Sequence, residues 1–579
     1  MKVASGAAIV AAAAAAVYWP ALHAGFVGDD FMILHRLRDL TGPADVGRFF
    51  RGEFFEYYRP LGFVAHAADW AIAGADPRQF HVTNLLLHLA SAVLVLLIGT
   101  RLAPRTAAGF VAGLLFALHA SNHEAVVWIS ARFDLLATFF SLAAIWWMVR
   151  DGPGQDVVPP ALFLLAVMSK ESAVAMPIAA GAYAVFQQRA STVQTLRRIA
   201  PWIAALAVYA LLRALGGGVS PVGGPSRLPK LAALGVMVGL LLLLADGRWL
   251  RLRESLRERR LVVTVTLALA VAAAAAIAAA RGGTGLAADK LAVAGFALVH
   301  LVSPVLPDAP FYQNAGTTMY WLGGTLALAA AILALALAWR ALLDDDRAWF
   351  LAGFIAAALL PISALTEGAR YLYLPSAALS LLLGALVART RGTVRVAAIT
   401  VVSLTVAIGA IQIAAKVRDW NWAGALTAEG ARLVDTSLAP ACGGHVIFLT
   451  SPVAIRGVYT HFYYETFELA RGCMPDSFQV IARVVRRDVH VEARRLDATT
   501  IEILAPDYQG NFVLAEDLRH FDRVVKTAAP LALSTPLGEL RGERAGNALR
   551  LTLSLSATTV AASPRVFYYS DGRIMALPN

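Results

Sequence analysis

The chain has 579 residues, of which 58% are hydrophobic and 15% are charged. A soluble domain has roughly 45–50% apolar and about 25% charged residues, so this composition excludes a purely soluble protein and indicates a membrane protein. The formal net charge of +11 does not indicate a nucleic-acid partner, because arginines cluster in alternate loops between apolar segments, as membrane topology requires.

Long apolar segments recur from Ala7 to Ala415 and stop beyond Lys416. Because an α-helix rises about 1.5 Å per residue, about 20 apolar residues cross the ~30 Å hydrocarbon core of a bilayer. The sequence therefore predicts about 13 transmembrane helices, which are Ala7–His23, His81–Arg101, Ala107–His119, Ala125–Met148, Pro159–Met168, Ser172–Phe186, Pro201–Leu215, Leu231–Ala245, Leu261–Ala280, Trp321–Trp339, Trp349–Leu365, Leu372–Val387 and Val394–Ala415.

Two segments leave the topology open. Leu291–Val302 is apolar but short, which is typical of an interfacial or re-entrant helix. If it crosses the membrane instead, the side on which the tail lies is reversed. At the N-terminus, Lys2, the apolar Ala7–Val17 and Leu22-His23-Ala24 resemble a cleavable signal peptide. We favour an uncleaved first span, because the two aspartates that follow it then stay tethered to a membrane helix.

The arginines set the orientation of the bundle. With the N-terminus inside, six inside loops carry arginines, as the positive-inside rule requires. Residues 416–579 then lie outside, and residues 24–80 form the first outer loop, whose aromatic and charged residues suit an amphipathic helix on the membrane surface. The inside arginines are Arg101, Arg105, Arg150, Arg189, Arg197, Arg198, Arg248, Arg251, Arg253, Arg257, Arg259, Arg260, Arg340, Arg347, Arg389, Arg391 and Arg395.

The tail, residues 416–579, is predicted to be a soluble α/β domain. Several of its segments are rich in β-branched residues and often alternate in polarity, which is typical of strands. A disulfide between Cys442 and Cys473 is expected if the tail is extracytoplasmic, and two buried thiols are the alternative. The predicted strands are His445–Leu449, Phe478–Val485, Val489–Ala493, Thr500–Leu504, Leu549–Leu555 and Phe567–Tyr569.

Ionisable residues collect near the predicted outer face of the bundle. Such groups are costly at membrane depth and are kept where they form pairs or serve a function. All of those in this set lie at or just below the same surface in the predicted topology. They are Asp29, Asp30, Arg59, His119, His123, Glu124, Arg132, Asp134, Lys170, Glu171, Glu367 and Arg370.

These residue types suit the transfer of a sugar from a lipid phosphate. A carboxylate takes the proton of an attacking hydroxyl, while arginine and lysine neutralise the departing phosphate. Two adjacent carboxylates, Asp29 and Asp30, are also suitable ligands for a divalent ion, with His123 and Glu124 as further candidates. His119 and His123 could share a metal only if they lie on one helix.

Each residue also has a simpler explanation. Asp29 and Asp30 could lie in a solvated loop, the histidines could be interfacial hydrogen-bonding groups, and Lys170–Glu171 could be an ion pair at the membrane edge. Arg132 and Asp134 could fix the packing of neighbouring helices. Only the occurrence of all these residues on one face indicates function.

Several segments resemble the transmembrane and tetratricopeptide-repeat O-mannosyltransferases, in the order typical of that family. This family belongs to the GT-C superfamily of membrane glycosyltransferases. The segments are Phe26–Asp30, Tyr58–Leu61, Phe80–His88, Ala117–Val126, Ala131–Leu136, Ser169–Glu171 and Glu367–Ser376.

The resemblance implies a GT-C-like catalytic domain over residues 1–415 and a polyprenyl-phosphate sugar donor. It also implies catalysis on the outer face, usually with inversion at the anomeric carbon, and a catalytic aspartate in the first outer loop, which is Asp29 or Asp30. The chain departs from the family after Ala415, where we find no 34-residue repeat. The acceptor, whether a glycan, a lipid or a protein, therefore stays open.

The composition is rich in alanine and favours arginine over lysine, which suggests a bacterium with a high-GC genome. The expected location is then the inner membrane with a periplasmic tail. Two other functions use similar residues. A flippase for a lipid-linked sugar needs the groove and the charges but no base, and a surface-polysaccharide polymerase or ligase uses a diphosphate-linked oligosaccharide.

Overall fold

The protein is described from a computed structural model that covers residues 2–52, 58–104, 107–150, 152–216, 239–258, 300–301, 344–361, 368–438 and most of 444–578. Within the last range, residues 453, 456–457, 461, 463, 472–474, 485–486, 506–511, 516–523, 526–530 and 546–547 are not described. The predicted spans Leu261–Ala280 and Trp321–Trp339 lie outside these ranges, as do most of Leu231–Ala245 and Leu291–Val302, together with Glu367, Cys442 and Cys473.

The chain forms two compact units. The described parts of 2–22, 41–301 and 344–417 belong to the first unit, and His23–Leu40 and the chain from Arg418 onward belong to the second. The second unit therefore includes a short segment of the predicted first outer loop, which the tail sequence alone did not indicate.

Helices make up the described part of the first unit, and three further helices belong to the second. In chain order they are α1 (Val3–Tyr18), α2 (Asp30–Arg38), α3 (Val46–Phe50), α4 (Pro60–Ala73), α5 (Pro77–Leu102), α6 (Ala108–Ala117), α7 (His123–Val127), α8 (Arg132–Val149), α9 (Val158–Ser169), α10 (Met176–Ala182), α11 (Thr192–Leu215), α12 (Arg248–Glu258), α13 (Asp346–Leu359), α14 (Tyr373–Arg389), α15 (Gly392–Ser437), α16 (Tyr464–Arg471) and α17 (Ala557–Ala561).

Several of these helices are long and apolar enough to cross a membrane. The described residues contain six such helices, or seven if α6 and the segment Ala120–Val127, which meet at a 50° bend, form one broken span. The protein is thus a helical membrane protein with several candidate spans. The expected number of 13 stays a prediction, because several of the predicted spans lie outside the described residues.

Helix boundaries follow local capping rather than hydropathy alone. The seventh predicted span was expected to begin at Pro201, but α11 begins at Thr192. The Ser191 side chain accepts from the backbone N–H of Gln194, and the Gln194 side chain accepts from the N–H of Ser191. Pro201 lies inside the helix, which membrane helices tolerate. The expected start at this proline was therefore wrong.

The last predicted span, Val394–Ala415, is the first half of a much longer helix. Helix α15 continues to Ser437 and has 46 residues. Hydropathy detects the part of a helix that suits lipid, whereas the polar residues beyond Lys416 continue the same helix in the second unit. The predicted end of the helix was therefore too early.

The described residues of the second unit form three β-sheets. The first sheet has the strand order β13-β12-β1-β4-β7-β8, and β1 runs parallel to both β12 and β4. The second, antiparallel sheet has the order β5-β6-β11-β10-β9, and β2 and β3 form a small hairpin pair. The strands are β1 (His445–Pro452), β2 (Ala454–Ile455), β3 (Val458–Tyr459), β4 (Ser477–Val484), β5 (Glu492–Arg495), β6 (Thr500–Ala505), β7 (Phe512–Ala515), β8 (Val524–Val525), β9 (Leu531–Thr535), β10 (Gly538–Ala545), β11 (Ala548–Leu555), β12 (Arg565–Ser570) and β13 (Arg573–Ala576).

The core of this unit forms around strand β1. Phe448 is fully buried, and its ring lies 5.3 Å from Phe462 and 5.4 Å from Phe567. On β11, Leu549, Leu551, Leu553 and Leu555 are buried and alternate with outward-facing residues, as the alternation predicted. A C-terminal domain of strands and helices is therefore present, as the sequence predicted.

The strand predicted at Val489–Ala493 lies further toward the C-terminus in the structure, at Glu492–Arg495. Val489 and Val491 are buried, but the carbonyl of Val489 accepts from the N–H of Asp571, and the N–H of Val491 donates to the Ser570 hydroxyl. These backbone groups are used by a turn, so the strand β5 begins only at Glu492. Buried apolar residues here mark the edge of the core rather than a strand.

An exposed pair on this unit predicts a pH dependence of stability. The His490 Nδ1 atom lies 2.7 Å from Asp571 Oδ2. Hydrogen bonding to Asp571 raises the pKa of His490, and the same bond lowers the pKa of Asp571. The stabilisation of the folded state by His490 is therefore complete below about pH 6.5 and is lost as the pH rises through the raised pKa of this histidine. The stabilisation by Asp571 is lost only in acid, as the pH falls through the lowered pKa of this aspartate.

We expect the melting temperature of the full chain to decrease slightly when the pH is raised from about 5.5 to about 9. The variant His490→Gln should lack this part of the decrease. Solvent screening limits the stabilisation by this pair to about 1 kcal/mol or less, because both side chains are exposed. The measurement is thermal unfolding of both proteins in detergent. Equal pH profiles for the two proteins would contradict the assignment.

Candidate active site

Six of the predicted site residues lie together in the first unit, and we call them, with Tyr371, the charged cluster. Each lies at or near a helix end, where the chain leaves one helix and enters the next. Their partners come from distant parts of the chain, so the fold and not the local sequence brings them together. The members are Arg59, Glu124, Asp134, Lys170, Glu171, Arg370 and Tyr371.

One part of the cluster joins the start of α4 to the segment after α9. The Nε atom of Arg59 donates to Glu171 Oε2 at 2.9 Å, and Arg213 of α11 lies 3.9 Å from Glu171 Oε1. Burial is the largest single effect and would raise the pKa of Glu171, but the charges of Arg59 and Arg213 and the hydrogen bonds to the carboxylate together hold this pKa below its ordinary value. Glu171 is therefore an ionised carboxylate between two guanidinium groups.

A second ion pair lies beside the first. The Lys170 Nζ atom lies 2.6 Å from Asp134 Oδ2, and both side chains are buried. Burial lowers the pKa of Lys170, and the Asp134 carboxylate opposes that shift. The ammonium group of Lys170 is therefore poorly hydrated. An anion can approach it at a smaller desolvation cost than it would pay at a fully hydrated ammonium group.

Tyr371 connects this pair to the third part of the cluster. Lys170 Nζ lies 4.7 Å from the centroid of the Tyr371 ring, and the guanidinium carbon of Arg370 lies 4.4 Å from it. The guanidinium of Arg370 also lies 4.8 Å from the Trp128 ring. These distances are within the range of cation–π attraction, so the Tyr371 ring contacts both cations and the Trp128 ring contacts Arg370 without neutralising their charge.

Arg370 is further oriented by Glu124. Its backbone N–H donates to Glu124 Oε2 at 3.2 Å, and its guanidinium forms a salt bridge with Oε1 of the same carboxylate. The guanidinium also donates to the Tyr371 hydroxyl at 2.8 Å. A single glutamate therefore fixes both the main chain and the side chain of Arg370.

The charge balance of this region favours an anionic ligand. Among the residues that the structure describes here, four cations, namely Arg59, Lys170, Arg213 and Arg370, face three carboxylates, namely Asp134, Glu171 and Glu124. Such a region can bind one further negative charge without creating net repulsion. Sequence reasoning missed Arg213 because it lies in the last turn of an apolar helix, where a lone arginine usually marks the membrane boundary.

Arg132 lies in a different setting from the cluster. It is fully buried and 2.6 Å from Asp69 Oδ2. Its guanidinium also donates to Asn84 Oδ1 and to the carbonyls of Ala65 and Phe80, all at 2.8–3.0 Å. At least three of its five N–H donors therefore have protein acceptors, and its contacts are those of a residue that joins α4, α5 and α8.

The two predicted histidines do not share a helix. His119 precedes a single 3₁₀ turn, Ala120–Asn122, and His123 begins α7. His119 contacts the Ser121 hydroxyl at 2.8 Å and the Leu301 carbonyl at 3.1 Å. The condition for a shared metal on one helix is not met. Within the described ranges, no three His, Cys, Asp or Glu side chains are placed to hold a metal ion.

Asp29 and Asp30 belong to the second unit, at the start of α2. Asp30 is 1% exposed, and its Oδ2 atom accepts from the N–H of Val27 at 3.0 Å. Asp29 is partly exposed and precedes the helix, and Gly28 has a φ of +53°, a conformation that favours glycine. The two carboxylates therefore differ: Asp30 closes a tight turn, and Asp29 is the more accessible.

Comparison with known proteins gives partial matches to one group of membrane enzymes. No protein-family model matches the chain. It is 29% identical over 198 residues to the human protein O-mannosyl-transferase TMTC3, a match that covers 31% of this chain and 22% of that protein. The match to Tmtc1 of Drosophila melanogaster is 29% over 184 residues and covers 29% and 21% of the two chains.

Two solved structures show a weaker likeness. The oligosaccharyltransferase of Archaeoglobus fulgidus, tethered to an acceptor peptide, aligns over 82% of this chain and 64% of its own with a TM-score of 0.43 and 13% identity. ArnT from Cupriavidus metallidurans, bound to undecaprenyl phosphate, aligns over 81% and 85% with a TM-score of 0.38 and 13% identity. Scores this low do not establish a common fold.

The resemblance that the motifs predicted is confirmed at the level of sequence. It extends over about a third of the chain and less than a quarter of each of the two O-mannosyl-transferases. The chain is thus similar, in part of its length, to membrane protein O-mannosyl-transferases.

Proposed function

We propose that the chain is a membrane glycosyltransferase that moves a sugar from a polyprenyl-phosphate donor to a hydroxyl acceptor. The charged cluster is the observation that carries this proposal. Partial similarity to O-mannosyl-transferases supports it, as does the helical first unit with its candidate spans. The location is the inner membrane of a bacterium, with catalysis at the periplasmic face.

The donor phosphate binds at the charged cluster. Arg59 and Arg370 present planar guanidinium groups suited to two phosphate oxygens, and Lys170 presents a compact point charge. Because Glu171, Asp134 and Glu124 already orient these cations, little side-chain ordering is needed when the donor binds. The apolar helices around the cluster suit the polyprenyl chain.

Asp29 or Asp30 acts as the general base of an inverting displacement. The acceptor oxygen forms a bond to the anomeric carbon as the bond from that carbon to the phosphate oxygen breaks. The hydroxyl proton passes to the aspartate, and the electron pair of the broken bond leaves with polyprenyl phosphate, whose negative charge the cations stabilise. No oxidant or reductant is required.

The test compares cell-surface glycans and glycoproteins, by mass spectrometry, in cells with and without the gene. We expect one modification to disappear and to return on complementation. Purified protein in vesicles is then given a polyprenyl-monophosphate sugar. Movement of this lipid across the bilayer without transfer would replace the proposal with a flippase. Transfer only from a diphosphate-linked oligosaccharide would replace it with a polymerase or ligase.

A further inference from the structure

The helix that begins with the aspartate pair packs on the C-terminal domain. Helix α2 and helix α16 belong to the same compact unit although more than 400 residues separate them. His35 of α2 pairs with the Glu468 carboxylate, and Arg38 Nη1 lies 3.5 Å from Glu468 Oε1 and 3.4 Å from the Glu468 carbonyl. Glu468 therefore holds two residues of α2, and its side chain is only 16% exposed.

A second contact fixes the chain just before the aspartates. The backbones of Gly25 and Gly424 approach so closely that a Cβ atom on Gly424 would lie 2.4 Å from the nitrogen of Gly25 and 2.7 Å from its Cα. Because both obstructing atoms are backbone atoms, no side chain can move aside to make room. Gly424 lies on the part of α15 that belongs to the second unit.

These two contacts lie on either side of the aspartates. Between them, the Val27 N–H donates to Asp30 Oδ2, and the N–H of Phe31 donates to the Gly28 carbonyl at 3.2 Å. The segment is therefore a short turn and a helix of nine residues, about 13 Å long, attached to the C-terminal domain at both ends. A displacement of the Glu468 side chain would therefore act on the helix whose first turn holds Asp30.

We propose that the C-terminal domain positions the Asp29–Asp30 carboxylates, with Glu468 as a positioning residue that acts through His35 and Arg38. This inference depends on the proposed function for its kinetic consequence, but its structural part does not. In this proposal the C-terminal domain orients the proposed general base, in addition to any contact that it makes with the acceptor. General-base catalysis is sensitive to such placement, because a misplacement of about 1 Å costs about 100-fold in rate.

The structural part is tested by hydrogen–deuterium exchange on the full-length protein in detergent. We expect Glu468→Ala to increase exchange in the peptide that covers residues 23–40. Glu465→Gln, on the same helix, is the matched control and should leave that peptide unchanged. Unaltered exchange in Glu468→Ala, or an equal increase in both variants, would overturn the proposal whether or not the protein transfers a sugar.

The kinetic part uses a charge exchange. Glu468→Arg is expected to lower kcat about 10- to 100-fold with little change in the KM for the donor, because the charged cluster is untouched. Adding Arg38→Glu to Glu468→Arg should recover most of the loss, since the two side chains can pair again in the opposite sense. A loss that appears only in KM, or a double variant no better than the worse single variant, would overturn the positioning role.

Discussion

Replacing the aspartate that we propose as the general base by asparagine is expected to reduce sugar transfer by about 100- to 10,000-fold. Asparagine has the same shape as aspartate but cannot take the proton of the acceptor hydroxyl. The prediction applies to Asp29→Asn and Asp30→Asn, each measured alone and together. The measurement is the initial rate of transfer in vesicles at saturating donor.

The two variants should differ in their effect on the local structure. In Asp30→Asn the amide oxygen can still accept from the Val27 N–H, so the turn is kept and only the charge is lost. Asp29 is more exposed, so its replacement should leave stability within about 0.5 kcal/mol. Each variant therefore tests the effect of removing one carboxylate charge on sugar transfer while the fold stays nearly unchanged.

Normal membrane insertion is the control for both variants, and donor binding gives a second one. Since the cations of the charged cluster are unaltered, the KM for the donor should change little. Full activity in both single variants and in the double variant would exclude the aspartate pair as the base. It would leave the charged cluster as a binding site without the chemistry proposed for it.

Asp69→Asn is expected to destabilise the protein by about 3–5 kcal/mol, which is the usual cost of leaving a buried charge without its partner. Arg132 is fully buried and lies 2.6 Å from Asp69 Oδ2. Asparagine preserves the volume, and its oxygen can still accept from Thr83 and Gln79, which bind Oδ1. The decrease in the free energy of unfolding therefore measures the cost of leaving the buried Arg132 charge without a carboxylate partner.

The measurement is thermal unfolding in detergent, and Arg198→Gln is the control. Arg198 pairs with Asp156 at 3.3 Å on the surface, where both side chains are largely exposed. Its removal should change stability by less than about 1 kcal/mol. If both variants melted like the unmodified protein, the buried pair would contribute nothing measurable. Such a result would reopen the prediction that Arg132 binds the donor.

The sequence predicted the parts of the fold that repeat a simple pattern. The apolar segment His81–Arg101 lies within α5 because an unbroken run of this length suits only a spanning helix. Alternation predicted β11 because one face of that strand is buried. The six charged residues that meet in the cluster were also predicted to share a face, since each lies at or just below the same outer surface in the predicted topology.

Other features depend on pairings that no local pattern encodes. Asp69 is the partner of Arg132, but it lies in a helix of the first loop whose sequence does not show which face is buried. Strand β10 was missed because its sequence is charged, and it becomes a strand through pairing with β11 from Gly538↔Leu555 to Ala545↔Ala548. The link from His35 to Glu468 spans 433 positions, so only the folded chain reveals it.

The packing of α2 on α16 affects which parts of this protein could be replaced together. A recombinant that kept the helical bundle but carried an unrelated C-terminal domain would lose the glycine contact and the Glu468 pairing together. The segment that carries Asp29 and Asp30 would then need a new support, whatever the new tail bound. A chimaeric protein should therefore fold correctly only when residues 23–40 and the C-terminal domain are taken from the same parent.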